Sequence, residues 1–364
     1  MSKKDKEVIE RLKGAGIDIY NQINKGQDPS YELPVRTLNN VFFDQKTKTI
    51  KLGDRKSTRN FLNIAHTRKF MQTMLIAAEL KKVIKEEATV SIRDLYYALK
   101  HTIEGTEENT FEDQGESDPI IEDLESSLGL LREELHLAAS SKGVISGNMK
   151  IKDGKDTIDL ARMGSGGWGV PSNVEPDRIE IKDLDAEYVL FIEKDAVWKR
   201  FNEDKFWQKN KCIIITGRGQ PSRAERRFVQ RLNKEHNLPV FALMDADPWG
   251  MYIYSVIKQG SISLSYSEEK LATPDTKYIG LTISDVETFK IPKEVTIKLN
   301  KLDVKRLNEM KKYDWFKKKE WQAEFDLMKE KAIKMELEAL SKKGIRFITE
   351  EYLPAKIKSK DFLP

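Results

Sequence analysis

Short apolar runs alternate with amphipathic stretches in the second half of the chain. The runs have the length of strands, and polar segments with helical spacing follow them. This alternation predicts an α/β architecture in which crossover helices join a largely parallel sheet. The predicted strands are residues 188–192, 212–216, 240–244 and 262–266, and the predicted helices lie near residues 195–202, 222–235 and 249–258.

The pattern before residue 150 is different. Apolar residues between positions 70 and 78 recur at spacings of three and four, which predicts a helix. The sequence Ser91-Ile-Arg-Asp94 has the form of a capping box and predicts the start of a second helix. Helical spacing then runs from Ile120 to Leu135 across Gly129, which predicts two short helices joined by a turn, as in a helix-turn-helix.

Residues 138–147 carry two glycines around the β-branched pair Val144-Ile145, a pattern that fits the hairpin wing of a winged helix. A bundle of helices joined by loops has a similar pattern, so both interpretations stay open at this point. Residues 1–68 mix turn formers with short apolar patches and predict an arm with a few strands. At the other end, apolar residues from Trp321 to Ala339 predict one long helix that stops before Gly344.

Composition limits the chemistry that this chain can perform. Its 63 basic and 59 acidic residues leave a net charge of +4, which neither requires nor excludes a polyanionic partner. With one cysteine and four scattered histidines, a disulfide is excluded and a zinc site of the His/Cys type is disfavoured, so a bound metal would be a hard cation such as Mg²⁺ on oxygen ligands. No apolar run approaches the ~20 residues of a membrane span, and we predict a cytoplasmic protein without membrane contact.

Three carboxylates follow predicted strands. Asp245 and Asp247 come directly after the run 240–244, and Glu193 follows the run 188–192. Because the carboxyl ends of parallel strands meet at one edge of a sheet, these side chains can converge on one Mg²⁺ ion. The alternative is structural: Glu193 caps a helix, and residues 245–250 form a turn, for which Asp, Pro and Gly are the usual residues.

The same residues carry a family resemblance. A glutamate after the first strand, the turn Gly217-Arg-Gly-Gln-Pro-Ser222 and an Asp-x-Asp after a later strand resemble the Toprim domain of topoisomerases and primases. The motifs Asp245-Ala-Asp-Pro-Trp-Gly250, Glu193-Lys-Asp195 and Arg93-Asp-Leu-Tyr-Tyr97 are more specific. Together they resemble the A subunits of archaeal type IIB DNA topoisomerases, which are related to the meiotic double-strand-break transesterase. The resemblance covers residues 65–364.

The resemblance implies a division into three parts. Residues 1–68 would be a dimer-associated arm, and residues 69–150 a CAP-like winged-helix domain that binds DNA and carries a nucleophilic tyrosine. Residues 151–364 would be a Toprim α/β domain with a C-terminal helical extension. Glu193, Asp245 and Asp247 would hold Mg²⁺ in this domain.

The resemblance also implies a reaction, in which Tyr97 attacks the DNA backbone and stays joined to the 5′ end. On helix geometry alone the choice between Tyr96 and Tyr97 is open, because Arg93 lies three residues before one and four before the other. In either case a guanidinium on that face would favour the phenolate and bind the scissile phosphate. The structural alternative for either tyrosine is a core aromatic.

The implied partners are double-stranded DNA, a second copy of the chain and an ATP-binding B subunit, in an A2B2 heterotetramer associated with the nucleoid. Each copy would cut one strand, with Tyr97 of one protomer working with the metal site of the other. The absence of a nucleotide-binding motif in this chain agrees with ATP hydrolysis on a separate subunit. Two other hypotheses remain: a Toprim nuclease or repair protein, and a non-catalytic DNA-binding scaffold of the meiotic type.

Overall fold

A computed structural model describes the chain from Met1 to Pro364, whose residues form two units. The first unit comprises Met1–Phe42, Lys51–Ser140 and Ile262–Ser267, and the second comprises Phe43–Ile50, Ser141–Ser261 and Glu268–Pro364. The division after Ser140 falls earlier than the boundary at residue 150 that we predicted, because the strand that follows it belongs to the sheet of the second unit.

Helices build the core of the first unit. Apolar side chains of the first helix, among them Val8 and Leu12, are buried in one cluster with Ile76 and Leu80 of the second. That first helix, which begins with a capping box on Ser2, was not predicted from the sequence. The elements of this part of the chain are α1 (Lys3–Asn24), β1 (Ser30–Pro34), β2 (Val41–Asp44), β3 (Thr49–Leu52), β4 (Lys56–Asn60), α2 (Ile64–Lys85), β5 (Val90–Ser91), α3 (Ile92–Leu99), α4 (Ser117–Leu128) and β6 (Leu137–Ala138).

The region around Gly129 agrees with the helix-turn-helix prediction only in part. Helix α4 ends at Gly129, which has the left-handed φ of 62° that glycine allows most readily. The predicted second helix is wrong, since the following residues form turns and then β6, which pairs in parallel with β5. The predicted wing at 138–147 is also wrong: Val144–Ser146 pairs antiparallel with a strand of the second unit.

A six-stranded sheet forms the centre of the second unit, in the order β10-β7-β13-β12-β14-β15. The four strands from β13 to β15 are parallel and the two at the other edge are antiparallel, so the sheet is mixed. Its strands and those of the small sheets beside it are β7 (Val144–Ser146), β8 (Met149–Asp153), β9 (Asp156–Asp159), β10 (Trp168–Gly169), β11 (Ile179–Leu184), β12 (Tyr188–Ile192), β13 (Cys212–Thr216), β14 (Val240–Leu243), β15 (Lys277–Gly280), β16 (Ile297–Lys298) and β17 (Ile333–Lys334).

Three of the four parallel strands agree with the sequence predictions. Strands β12, β13 and β14 are confirmed, and every residue of β12 and β13 is buried, as continuous apolar runs predict. The predicted strand at 262–266 is wrong. Ser265 of this segment donates to the carbonyl of Ile262 instead, Ser267 just after it donates to the carbonyl of Leu264, and the chain turns there. The fourth parallel strand is β15.

Helices pack against the large sheet and extend beyond it. Three predicted helices form as α5 (Asp195–Glu203), α7 (Arg223–His236) and α8 (Pro248–Lys258). The remaining helices are α6 (Phe206–Lys209), α9 (Glu268–Leu271), α10 (Asp285–Thr288), α11 (Lys301–Met310), α12 (Lys319–Lys331) and α13 (Leu353–Ser359). None of the helices combines the length and the apolar composition that crossing a membrane requires.

The long C-terminal helix that we predicted stops early. Helix α12 ends at Lys331, and Ala332 takes a left-handed φ of 51°. Strand β17 then pairs antiparallel with β16, and Met335 forms a bridge with Ala246. These contacts fix residues 333–335 in extended form and bring the following segment close to the end of β14.

Candidate active site: a carboxylate cluster and a tyrosine helix

The order of the parallel strands places two strand ends side by side. The chain passes from β12 to β13 on one side and then to β14 on the other, so β12 lies between them. In open α/β sheets such a switch point is where ligands bind, at the carboxyl ends of the strands. Glu193 follows β12, and Asp245 lies just beyond β14.

The structure brings the three predicted carboxylates together. One oxygen of Glu193, Oε2, accepts a hydrogen bond of 3.0 Å from the backbone N–H of Asp245. A Cβ atom at Gly250 would lie 3.0 Å from that same oxygen and 2.6 Å from the carbonyl oxygen of Asp245, so this position requires glycine. The glycine of the Asp-Pro-Trp-Gly motif therefore lets helix α8 approach the cluster closely.

The structural alternative does not hold as stated, because Pro248–Gly250 belong to helix α8 rather than to a simple turn, and the residue that caps a helix is Asp247, not Glu193. Asp247 is the N-cap of α8, and its Oδ1 accepts a hydrogen bond of 2.6 Å from Gly250 N–H. Glu193 caps no helix, because the N-cap residue of α5 is Lys194, which makes no side-chain capping bond. The Glu193 carboxylate faces the aspartates instead, at a cost in desolvation.

Burial and mutual repulsion disfavour the ionised forms of these carboxylates. Burial is the main cause that raises the pKa of Glu193, and repulsion from Asp245 and Asp247 adds to it. Burial likewise raises the pKa values of Asp245 and Asp247. A cation bound here would relieve these penalties, because it would favour the ionised form of each carboxylate.

One cation of the protein already lies in the cluster. The Nζ atom of Lys194 is 3.0 Å from Asp245 Oδ2, 3.0 Å from Glu336 Oε2 and 2.8 Å from Glu338 Oε2. Although burial opposes it, contact with these carboxylates raises the pKa of Lys194. Of this network, sequence reasoning found Asp245 and missed Lys194, Glu336 and Glu338. The one sequence signal for any of these three residues is that Lys194 directly follows Glu193.

These residues fit Mg²⁺ by their chemistry. No group of three or more acidic, histidine or cysteine side chains is arranged so that it could hold a metal ion. Mg²⁺ keeps several of its waters and binds proteins through one or two carboxylates, so it needs fewer protein ligands than that. The cluster offers only oxygen ligands, and one of its carboxylates, Asp245, already contacts an ammonium group.

The predicted nucleophile and its arginine lie in the first unit, on α3. This helix starts with the predicted capping box, in which Ser91 Oγ accepts from Asp94 N–H and the Asp94 carboxylate accepts from Ser91 N–H. Tyr96 is buried, with 6% of its surface exposed, whereas Tyr97 is 60% exposed. Arg93 is exposed as well. Helix packing thus buries one of the two adjacent tyrosines and exposes the other, a distinction that could not be made from the sequence.

Tyr96 is held in place at both ends of its side chain. Its hydroxyl donates a hydrogen bond of 2.9 Å to the carbonyl oxygen of Glu112 and accepts one of 2.9 Å from Lys100 Nζ. Its ring packs edge-on against Phe111. Lys100, which also contacts the face of the Tyr96 ring, was not identified from the sequence. Tyr96 therefore has the structural role that the alternative interpretation assigned to either tyrosine.

Replacing Tyr96 by phenylalanine is expected to reduce stability slightly without a loss of DNA cleavage. The variant loses one hydrogen bond of a partly buried hydroxyl, worth about 1 kcal/mol of unfolding free energy. Lys100 Nζ still donates to the carbonyl of Glu112, which stays satisfied. Denaturant unfolding and a cleavage assay on the same preparation check both parts. Complete loss of cleavage in a folded Tyr96→Phe protein would contradict the division of roles between the tyrosines.

Three family models match the chain. A Toprim domain model, shared by Spo11 and the A subunits of topoisomerase 6, matches residues 188–357. A type IIB DNA topoisomerase model matches residues 68–137, and an all-beta domain of the DNA topoisomerase VI alpha subunit matches residues 142–185. The last range contains the three-stranded sheet β11-β8-β9. The Toprim range contains Glu193, Asp245 and Asp247, and the type IIB range contains Arg93 and Tyr97.

Known proteins are similar over nearly the whole chain. The A subunit of type 2 DNA topoisomerase 6 from Pyrococcus abyssi is 45% identical over 98% of this chain and 96% of its own length. The protein of the same name from Saccharolobus shibatae is 42% identical over 100% of this chain and 98% of its own. The DNA topoisomerase 6 A subunit of Arabidopsis thaliana is 35% identical over 95% of this chain and 79% of its own. The chain therefore belongs to the family of type 2 DNA topoisomerase 6 A subunits.

Proposed function

We propose that this chain cleaves and rejoins DNA through Tyr97, as the A subunit of an ATP-dependent type II topoisomerase. The observation that carries the proposal is the exposure of Tyr97 on α3 while its neighbour Tyr96 is buried and hydrogen-bonded. A transient double-strand break made in this way would let a second duplex pass, which relaxes supercoils and decatenates DNA.

In the proposed reaction, the Tyr97 phenol oxygen attacks a backbone phosphorus atom. A bond forms between that oxygen and phosphorus, the bond to the 3′ oxygen breaks, and the 5′ end stays linked to the protein. The departing oxygen takes up a proton, and the phenol gives one up. Because one phosphodiester replaces another, resealing requires no energy from ATP.

Arg93 would assist the attack. A phenol has an unperturbed pKa of ~10 and is a weak nucleophile at neutral pH, so it needs help in losing its proton. Arg93 and Tyr97 are exposed residues four positions apart on one helix, where side chains are neighbours. A guanidinium there can bind the phosphate under attack with two hydrogen bonds and stabilise the phenolate by its charge.

Glu193, Asp245 and Asp247 would hold Mg²⁺. When bound, the ion would stabilise negative charge on the departing 3′ oxygen. The protein holds the carboxylates in position through its backbone: Asp245 N–H fixes Glu193, and Gly250 N–H fixes Asp247. Glu193 and Asp247 are thus held in position by the backbone, whereas Asp245 is in contact with Lys194.

The proposed assembly contains two copies of this chain and two ATP-binding B subunits. Each copy would cut one strand, and Tyr97 of one copy would act with the carboxylates of the other. The first unit would bind DNA, and α3 would lie against the backbone. Contacts of this kind are made mainly to phosphates, so DNA affinity should fall steeply as salt rises, with little preference for sequence.

Relaxation of a supercoiled plasmid tests this proposal. The chain, mixed with an ATP-binding B subunit, Mg²⁺ and ATP, is expected to relax the plasmid, and relaxation should stop when any one of the three is left out. Linear DNA with free 5′ phosphates and no attached protein would instead favour a nuclease. Binding to DNA without cleavage under any of these conditions would favour a scaffold.

A further inference from the structure

We propose that Lys194 is a built-in competitor for the metal at Asp245, and that Glu336 and Glu338 hold the lysine when the metal displaces it. The inference rests on the proposed metal role of Asp245 and adds three residues to it. Lys194 is therefore a positioning residue, which sets how tightly the cluster binds a divalent cation.

Asp245 has no free oxygen in this structure. Its Oδ1 accepts a hydrogen bond of 2.8 Å from the backbone N–H of Leu337, and its Oδ2 is 3.0 Å from Lys194 Nζ. Lys194 is thus the only cation in contact with this carboxylate. A divalent ion that binds Oδ2 must share or take the position of the ammonium group, and like charges this close repel strongly.

The alternative partners of Lys194 are fixed close to Asp245. Ala246 and Met335 exchange two backbone hydrogen bonds, of 2.9 and 3.0 Å, so the segment that starts at Met335 is tied to the end of β14. Leu337 adds the bond to the aspartate itself. Glu336 and Glu338 flank Leu337 and already contact Lys194 Nζ.

This geometry allows the ammonium group to leave Asp245 without losing its counter-charges. Lys194 is 24% exposed, and the two glutamates are 53% and 44% exposed, so all three side chains have room to move toward solvent. After the exchange, two carboxylates would neutralise the lysine, and Asp245 would be left to the metal. Glu336 and Glu338 make the displacement of the lysine less costly than its release into water without a partner.

Binding of Mn²⁺, followed by the electron paramagnetic resonance signal of the free ion, tests the inference on the full chain. Lys194→Met is expected to bind Mn²⁺ about tenfold more tightly than the unmodified chain, because the competing charge is gone. Lys194→Arg, which keeps the charge, should bind Mn²⁺ about as the unmodified chain does. Lys199→Met is the matched control. It removes a lysine from the same region, but one that pairs with Asp195 at 2.7 Å, and it should leave the affinity unchanged.

Substitutions at the two glutamates give a second test, so the inference does not depend on the result for Lys194→Met alone. In the chain with Lys194, the pair Glu336→Gln and Glu338→Gln should weaken Mn²⁺ binding several-fold, because the lysine then stays on Asp245. In the Lys194→Met background, the same pair should change the affinity by much less. Equal effects in the two backgrounds would mean that the glutamates act on the ion directly, and would overturn the exchange.

Failure of the inference about Lys194 can be distinguished from failure of the proposed metal role of Asp245. If Asp245→Asn removes Mn²⁺ binding and Lys194→Met binds no more tightly than the unmodified chain, the inference about Lys194 is wrong and the metal role of Asp245 stands. If Asp245→Asn binds Mn²⁺ as the unmodified chain does, the proposed metal role fails, and the inference fails with it. Loss of folding alone cannot imitate the expected result, since it does not tighten binding.

Discussion

Tyr97→Phe is expected to abolish the covalent adduct between the protein and the 5′ end of cleaved DNA. The change removes one oxygen from an exposed side chain and leaves the packing of α3 intact, because Tyr97 is 60% exposed. Without that oxygen no phosphotyrosine bond can form, so adduct and relaxation should both fall by at least about 10³-fold. The measurement is capture of protein-linked DNA after denaturation, in the presence of the B subunit, Mg²⁺ and ATP.

Tyr96→Phe is the matched control for this prediction. It is the same change one residue earlier on the same helix, but at a side chain whose hydroxyl is bonded to Glu112 and Lys100. The control should keep the adduct. Adduct formation that is equal in Tyr97→Phe and the unmodified chain would exclude Tyr97 as the nucleophile.

Asp245→Asn is expected to lower the rate of cleavage by at least about 100-fold at saturating Mg²⁺, through the loss of metal-assisted charge stabilisation. The fold should survive, because the amide oxygen of asparagine can still accept the hydrogen bond from Leu337 N–H. Binding of the plasmid itself should change little, since phosphate contacts are made mainly by basic groups.

Asp183→Asn provides the comparison for Asp245→Asn. Asp183 lies in β11 of the same unit, is 68% exposed and pairs with Lys150 at 3.0 Å, where a surface ion pair contributes little. Cleavage by this variant should equal that of the unmodified chain. A folded Asp245→Asn protein that cleaves at the full rate would show that the carboxylate cluster has no part in the reaction.

Sequence patterns were sufficient where local chemistry decides the structure. The runs of β12 and β13 contain no charged residue and no alternation of apolar and polar positions, so a strand buried on both faces was the natural prediction. The same applies to the start of α3, where Ser91 and Asp94 satisfy each other's backbone donors. The carboxylates were found because each follows such a run.

Patterns failed where a distant partner decides the structure. Residues 332–335 have helical spacing, but pairing of β17 with β16 and of Met335 with Ala246 replaces the helix. The partners of Lys194 were hidden for the same reason, since Glu336 is 142 residues away along the chain. Packing also resolves what the helix geometry of α3 left open, namely which of the two tyrosines is exposed.

A mixture of two inactive variants tests most directly whether Tyr97 and the carboxylate cluster act together across a dimer. Protomers carrying Tyr97→Phe are combined with protomers carrying Asp245→Asn, and purified mixed dimers are assayed on supercoiled plasmid with the B subunit, Mg²⁺ and ATP. If each tyrosine works with the carboxylates of the partner, one of the two sites is intact, and the mixed dimer nicks one strand with a covalent adduct on the Asp245→Asn protomer. A mixed dimer that forms no adduct and makes no nick would contradict the proposed division of the active site between two protomers.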